Sequence, residues 1–134
     1  MLKNYVTVMA LEYLDNYGKS IAIMQAFSSF SLGGSISVNG YSWQKDVPPI
    51  AASVISFTLL QENGEIIECS RSQHQELFKL VIGGYGLFGI ILDVKLKVVD
   101  NEALQFKFKH ISADKYLSYY KKYVSDFSRY CFQK

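Results

Sequence analysis

Alternation of apolar and polar positions is clearest in the middle of the chain. Val54 to Leu60 reads as a strand, Asn63-Gly64 supplies a type I′ turn dipeptide, and Glu65 to Cys69 returns as the hairpin partner. Further on, Ile90, Leu92, Val94, Leu96 and Val98 alternate with Ile91, Asp93, Lys95, Lys97 and Val99. One cleanly apolar face and one partly charged face predict an antiparallel strand half exposed to water, with Asp93, Lys95 and Lys97 on a solvated side. Between these segments the period changes: Ser72 to Ile82 reads as a helix, with Ser72 as N-cap, Gln75 as its capping-box partner and Gly83 as the left-handed C-terminal residue. Before the hairpin, Tyr5 to Met9 is a short β-type run. Ala10 to Tyr17 carries Leu11, Leu14 and Tyr17 on one helical face before Gly18 stops it, and Ile21 to Met24 is a second apolar run. These elements predict an α+β fold, a mainly antiparallel sheet flanked by helices, rather than a doubly wound parallel sheet.

A polar break at Asp100-Asn101 separates a first unit, residues 1–100, from a second, residues 101–134. The second unit opens on a strand in which Leu104, Phe106 and Phe108 alternate with Gln105, Lys107 and Lys109. Ser112 then caps a helix whose face holds Tyr116, Leu117, Tyr120, Tyr123, Val124 and Phe127, with Lys115, Lys121 and Lys122 outside. A strand plus one helix with that much aromatic surface is not self-sufficient, so the second unit is expected to be incomplete and to pack against further protein.

With 49% apolar residues the chain can build a core, and 134 residues suit one domain or one domain and part of another. The net charge of +2 is slight and scattered, which argues against a dedicated nucleic-acid surface. No run of about 18 apolar residues offers a membrane span. Cys69 and Cys131 lack Cys-x-x-Cys spacing and read as free thiols in a reducing, cytoplasmic compartment, a disulfide between them being the alternative. His74 and His110 have no partner at metal-ligand or triad spacing, so no catalytic or metal residue is assigned.

Two glycine-rich stretches carry the candidate chemistry. Gly84 to Gly89 spell Gly-Tyr-Gly-Leu-Phe-Gly, the glycine pattern of a dinucleotide fingerprint, but that fingerprint needs a strand before and a helix after. Here a helix precedes and a strand follows, so a Rossmann NAD enzyme, which would need a strand before Gly84, ranks third among the readings. The other stretch, Ser31-Leu32-Gly33-Gly34-Ser35-Ile36-Ser37-Val38-Asn39-Gly40, has adjacent glycines before residues able to start a short helix. Bare peptide N–H groups and a helix start can cradle an anion without Lys or Arg; the alternative is a tight turn between packed elements.

Taken in order, the Gly-Gly stretch, the Pro48-Pro49-Ile50 segment, the Asn-Gly hairpin, the helix ending in Glu76-Leu77-Phe78 and the Gly83-to-Ile91 block resemble one family. It is the vanillyl-alcohol oxidase and p-cresol methylhydroxylase (PCMH-type) FAD-linked oxidases, a group that includes cytokinin dehydrogenases and alditol oxidases. The similarity covers roughly residues 3 to 110 and implies the second subdomain of their FAD-binding domain. It implies Ser31, Leu32, Gly33 and Gly34 beside the FAD phosphates, Ser37, Val38, Asn39, Gly40 and Tyr41 along the pyrophosphate toward the flavin, and Ile90 at the adenine. Many relatives carry His-Gly where this chain has Tyr41-Ser42. Trp43 beside them has two readings, a flavin or substrate edge and a packing anchor.

Family members have an earlier subdomain with another pyrophosphate loop, and a substrate domain that supplies most catalytic residues. The resemblance therefore implies a fragment of an FAD-linked oxidoreductase acting on alcohol-type substrates, inactive alone. Its expected partners are FAD, the remaining domains of a longer flavoprotein, and a second copy of the chain across exposed apolar surface. The alternative is a non-catalytic interaction module that kept the fold and lost the cofactor.

Overall fold

The computed structural model describes residues 2–3, 7–25, 27–42, 47–103, 105 and 108–125. The chain divides into two compact units, residues 1–42 with 48–101, and residues 43–47 with 102–134.

The first unit is built on a four-stranded antiparallel sheet of β1 (Leu2–Lys3), β3 (Val54–Leu60), β4 (Ile66–Ser70) and β5 (Ile90–Leu96), in the order β1-β5-β3-β4. A second, two-stranded antiparallel sheet pairs β2 (Lys19–Ile21) with β6 (Val98–Asp100). Helices α1 (Thr7–Asp15), α2 (Leu32–Ser37) and α3 (Gln75–Val81) and a 3₁₀ turn at Ile50–Ala52 complete the unit. Helices with antiparallel sheets make this an α+β architecture, as the alternation predicts.

The core lies on one face of the larger sheet. Phe57, Leu59, Val54, Cys69 and Val94 are buried there together with Ile36, Ile50 and Phe78. The Phe57 and Phe78 rings stack at 5.3 Å and 12°, fixing α3 against β3, a contact worth about 0.5 to 1.5 kcal/mol beyond simple area burial. Cys69 is a free thiol, and burial pushes its pKa up, so it behaves as a small apolar residue. The opposite face is polar but not simply solvated. Thr58 Oγ1 donates to Asp93 Oδ1 (2.9 Å), Ser56 Oγ to Glu68 Oε1 (3.0 Å), and Lys95 Nζ to the same carboxylate oxygen (3.1 Å). Asp93 is half-buried, and Lys97 leaves the strand to donate its N–H to Ser53 O (2.8 Å).

Several local expectations fail for identifiable reasons. Thr7 to Met9 are helical rather than extended, and residues 4–6 of the expected β-run lie outside the described residues. Thr7 donates both its N–H (2.9 Å) and its hydroxyl (2.7 Å) to Phe30 O, and Val8 N–H donates to Ser28 O (3.0 Å). A distant loop thus satisfies donors at the helix start that local sequence leaves open. The hairpin forms at the expected strands with a different turn: Asn63 keeps a negative φ, Gly64 has φ +82°, and Gly64 N–H donates to Gln61 O (3.0 Å). Gln61 N–H reaches Glu65 O (2.9 Å), which leaves a three-residue tip and favours a type I-like turn with a left-handed glycine over type I′. Ser72 is not the N-cap of α3. Ser70 Oγ accepts from the N–H groups of Ser72 and Gln73, and the left-handed His74 precedes the helix. The Glu68 carbonyl can only accept, so His74 Nδ1 carries the proton in their 3.0 Å hydrogen bond. The long strand expected from Ile90 to Val99 is split at Lys97 into β5 and β6.

In the second unit, α4 (Ala113–Tyr123) follows Ser112, whose extended backbone is that of an N-cap although its hydroxyl makes no cap bond. Tyr116, Leu117 and Tyr123 are exposed, and Lys109 Nζ stands 4.7 Å over the Tyr119 ring. Gln105 and Phe108 to His110 do not form the expected strand. Leu104, Phe106, Lys107, Phe127, Cys131 and Trp43 lie outside the described residues.

Candidate functional site

Helix α2 is short because Gly33, Gly34, Ser35 and Ser37 give it little intrinsic propensity. Local bonds and packing hold it. The Ser31 hydroxyl caps it by accepting from Gly34 N–H (3.0 Å), Leu32, Ser35 and Ile36 are buried, and Ser35 Oγ donates to Gln25 Oε1 (3.0 Å). At its exit Asn39 adopts φ +48°, and its Oδ1 accepts from Ala51 N–H (3.2 Å).

Two long-range hydrogen bonds then join the glycine stretches. Gly83 N–H donates to Ile36 O (3.0 Å) and Tyr85 N–H to Ser37 O (2.9 Å). The last turn of α2 is therefore tied to the loop that carries the Gly-Tyr-Gly-Leu-Phe-Gly pattern. Beside this junction lies an open groove of about 400 Å³, lined by Ser31 to Gly34 and Ser37 on one side and by Gly86 and Gly89 to Val94 on the other.

A register shift shapes the second wall. Thr58 pairs with Asp93 but Leu59 pairs with Ile91, so Leu92 is passed over. The shift carries Ile91 to the side of α2, where a Cβ placed on Gly33 would meet Ile91 Cβ at 3.6 Å. Asp93 is the one charged residue among those lining the groove, and its carboxylate is bonded to Thr58 Oγ1. With no Lys, Arg or His in the lining, an anion here would be met by peptide N–H groups and hydroxyls. The N–H groups of Leu32 and Gly33, in the first turn, have no intrahelical acceptor; that of Gly34 is taken by Ser31.

Of the residues singled out from the sequence, Ser31, Leu32, Gly33, Gly34, Ser37 and Ile90 share this groove. Ile90 is 64% exposed although its strand buries Val94. Val38, Asn39, Gly40 and Tyr41 do not line it. Val38 and Tyr41 are exposed, Gly40 is buried against the Gln25 side chain, and Asn39 lines a different cavity. The short helix ends at Ser37, and the chain then turns away toward the 3₁₀ segment, where Ile50 N–H donates to Gly40 O (3.0 Å). Ile91 to Val94 were not singled out, since the strand register that brings them to α2 leaves no local signal. No group of three or more His, Cys, Asp or Glu side chains suited to a metal occurs among the described residues.

No protein-family model matches the chain. Individual proteins do. It is 34% identical over 92 residues to L-gulonolactone oxidase of Bos taurus, covering 69% of this chain and 21% of that protein. It is 31% identical over 131 residues to L-galactono-1,4-lactone dehydrogenase 2, mitochondrial, of Oryza sativa subsp. japonica, covering 92% of this chain and 22% of the relative. Cytokinin dehydrogenase 3 of Arabidopsis thaliana matches at 34% over 84 residues, 60% of this chain and 16% of the relative. These relatives are FAD-linked oxidoreductases: a lactone oxidase, a lactone dehydrogenase and a cytokinin dehydrogenase. Cytokinin dehydrogenases, which the resemblance drawn from the two glycine stretches includes, are thus among the proteins the chain is similar to. The chain spans about a fifth of the length of the FAD-linked oxidoreductases it matches.

Proposed function

We propose that this chain forms one wall of an FAD site in an FAD-linked oxidoreductase, as the second half of a PCMH-type FAD-binding domain over residues 1–100 and the start of a substrate domain over 101–134. The groove shared by the two glycine stretches carries this reading. Gly33 supplies the fit test. Its Cβ would make only ordinary contact, 3.6 Å from Ile91 Cβ, so packing does not demand a glycine there. Glycine within a helix costs about 0.5 to 1 kcal/mol against alanine, and the close approach of a ligand to the backbone explains why that cost is carried.

In this reading the N–H groups of Leu32 and Gly33 and the hydroxyls of Ser31 and Ser37 meet phosphate oxygens, Gly34 lies beside them with its N–H held by Ser31, and Ile90 presents main-chain groups to the adenine. The resemblance would carry Val38, Asn39, Gly40 and Tyr41 along the pyrophosphate toward the flavin, a role for which the groove gives no support. FAD, when bound, supplies the hydride acceptor for a substrate C–H next to oxygen or nitrogen. The protein's part here is to hold and orient the adenosine and phosphate end, and no catalytic side chain is assigned. The rest of a longer flavoprotein would provide the opposing wall. A half-site lacks several hydrogen bonds worth about 0.5 to 1.5 kcal/mol each, so isolated binding is weak and turnover absent.

Equilibrium dialysis against FAD, with flavin absorbance as the readout, tests this. Weak saturable binding that Gly33→Leu abolishes without unfolding the protein is the expected result. Tight stoichiometric binding with steady alcohol oxidation would sink the half-site reading. A second reading, an interaction module that has lost the cofactor, draws on Tyr41, which is 71% exposed at the position where many relatives carry His. It predicts no FAD binding by the wild-type chain or by the chain joined to its missing wall.

A further inference from the structure

A second cavity, of about 430 Å³, lies outside the groove and serves none of the roles above. It is bounded by Asn39 and Ala51 on one side and on the other by Arg71, by Gln75, Phe78 and Lys79 at helical spacing on α3, and by Ile82 just past the helix end. We propose that this cavity binds a small organic oxyanion, a carboxylate or phosphate group carried on an apolar ring or chain.

The chemistry of the lining selects that class. Arg71 and Lys79 are cationic, no carboxylate is among the lining residues, and neither cation forms a salt bridge with a described residue. Arg71 is already held in place: one guanidinium nitrogen donates to Ala51 O (2.8 Å), and the group stands 5.4 Å from the centre of the Phe78 ring. That fixation leaves its remaining N–H donors oriented, so less rotamer freedom is lost when an anion arrives. Asn39 is fixed too. Its Oδ1 is committed to Ala51 N–H, which leaves its Nδ2 group as a donor. The left-handed backbone of Asn39 (φ +48°) is a strained conformation kept at the rim of the cavity. Phe78 and Ile82 add an apolar floor that a bare inorganic ion would not use. Charge and floor together favour an amphipathic anion over inorganic phosphate.

The test is a titration of the isotope-labelled chain with benzoate, phenyl phosphate, inorganic phosphate and benzyl alcohol, followed by backbone amide shifts. Saturable shifts at Arg71, Gln75 and Lys79 with benzoate or phenyl phosphate are expected, weaker with inorganic phosphate and weaker still with the alcohol. Which of the two organic anions binds better tells carboxylate from phosphate. Lys79→Met should weaken the better probe about tenfold, the loss of one charge-assisted contact. Lys79 is exposed, so this variant folds even where Arg71→Met does not. Equal binding of benzyl alcohol, an unchanged affinity in Lys79→Met, the absence of saturable shifts, or shifts confined to Gly33 to Ser37 and Ile90 would overturn the proposal. FAD binding in the other groove enters none of these outcomes.

Discussion

The two glycine stretches look alike in sequence and are held by opposite constraints. In the Gly-Tyr-Gly-Leu-Phe-Gly loop the protein itself demands the glycines. A Cβ on Gly84 would stand 2.1 Å from Leu80 O, and one on Gly89 would stand 2.5 Å from Leu60 O, on a backbone with φ +138°. In the Gly33-Gly34 stretch the demand is slight: Gly33 has ordinary room, and Gly34 meets only the Ser31 hydroxyl, at 3.0 Å. A dinucleotide-like pattern is therefore partly a packing motif, and under the proposed FAD wall the less conspicuous Gly-Gly pair is the one a ligand would explain. Excess glycine where the fold does not require it is the more informative signal.

Substitutions can break this contrast. Gly89→Ala or Gly84→Ala should cost about 3 kcal/mol or more, because backbone carbonyls cannot give way as side chains do. Chemical denaturation would show it, and near-wild-type stability of either variant would end the distinction. Ser31→Ala removes the cap on Gly34 N–H and should cost about 1 kcal/mol, read as a lower melting temperature. Gly33→Ala should be neutral or stabilising by up to about 1 kcal/mol without FAD, while weakening FAD binding in dialysis. A loss of stability at this position would return Gly33 to the same class as Gly89.

The smallest effect lies outside both stretches. Hydrogen bonding and charge attraction from Lys19 hold the Asp100 carboxyl below its usual range, and hydrogen bonds from Lys95 and Ser56 do the same for Glu68. A carboxylate with a depressed folded-state pKa contributes stability above its unfolded pKa and loses it as pH falls through the folded value. The denaturation midpoint should therefore decline slightly below about pH 5, and Asp100→Asn should remove its share of that decline.

Local chemistry made much of the first unit legible. The strand Val54 to Leu60 was read to the residue from its alternation, and Gly83, at φ +79°, closes α3 where a left-handed glycine was expected. Failures cluster where a distant partner decides. Phe30 O anchors the start of α1, Ser70 rather than Ser72 organises the entry to α3, and the passed-over Leu92 turns Ile91 toward α2. The same holds at the groove. Its two walls were visible as glycine stretches, but the Ile36–Gly83 and Ser37–Tyr85 hydrogen bonds between them follow from tertiary register, which no local period encodes. Tyr41 and its neighbours were included because they continue a motif. The end of α2 at Ser37 and the turn at Asn39 take them elsewhere.

Those two hydrogen bonds also bear on the order of assembly. Between Ser37 and Gly83 the chain must complete the 3₁₀ turn, the β3–β4 hairpin and α3. The hairpin closes locally and fast, whereas the junction waits on a long loop whose closure entropy comes first. A ligand in the groove would thus meet it only in nearly native molecules, slowing unfolding while leaving the refolding rate untouched. The amides of Gly83 and Tyr85 become reporters of that event, because their exchange with solvent records each opening of the junction.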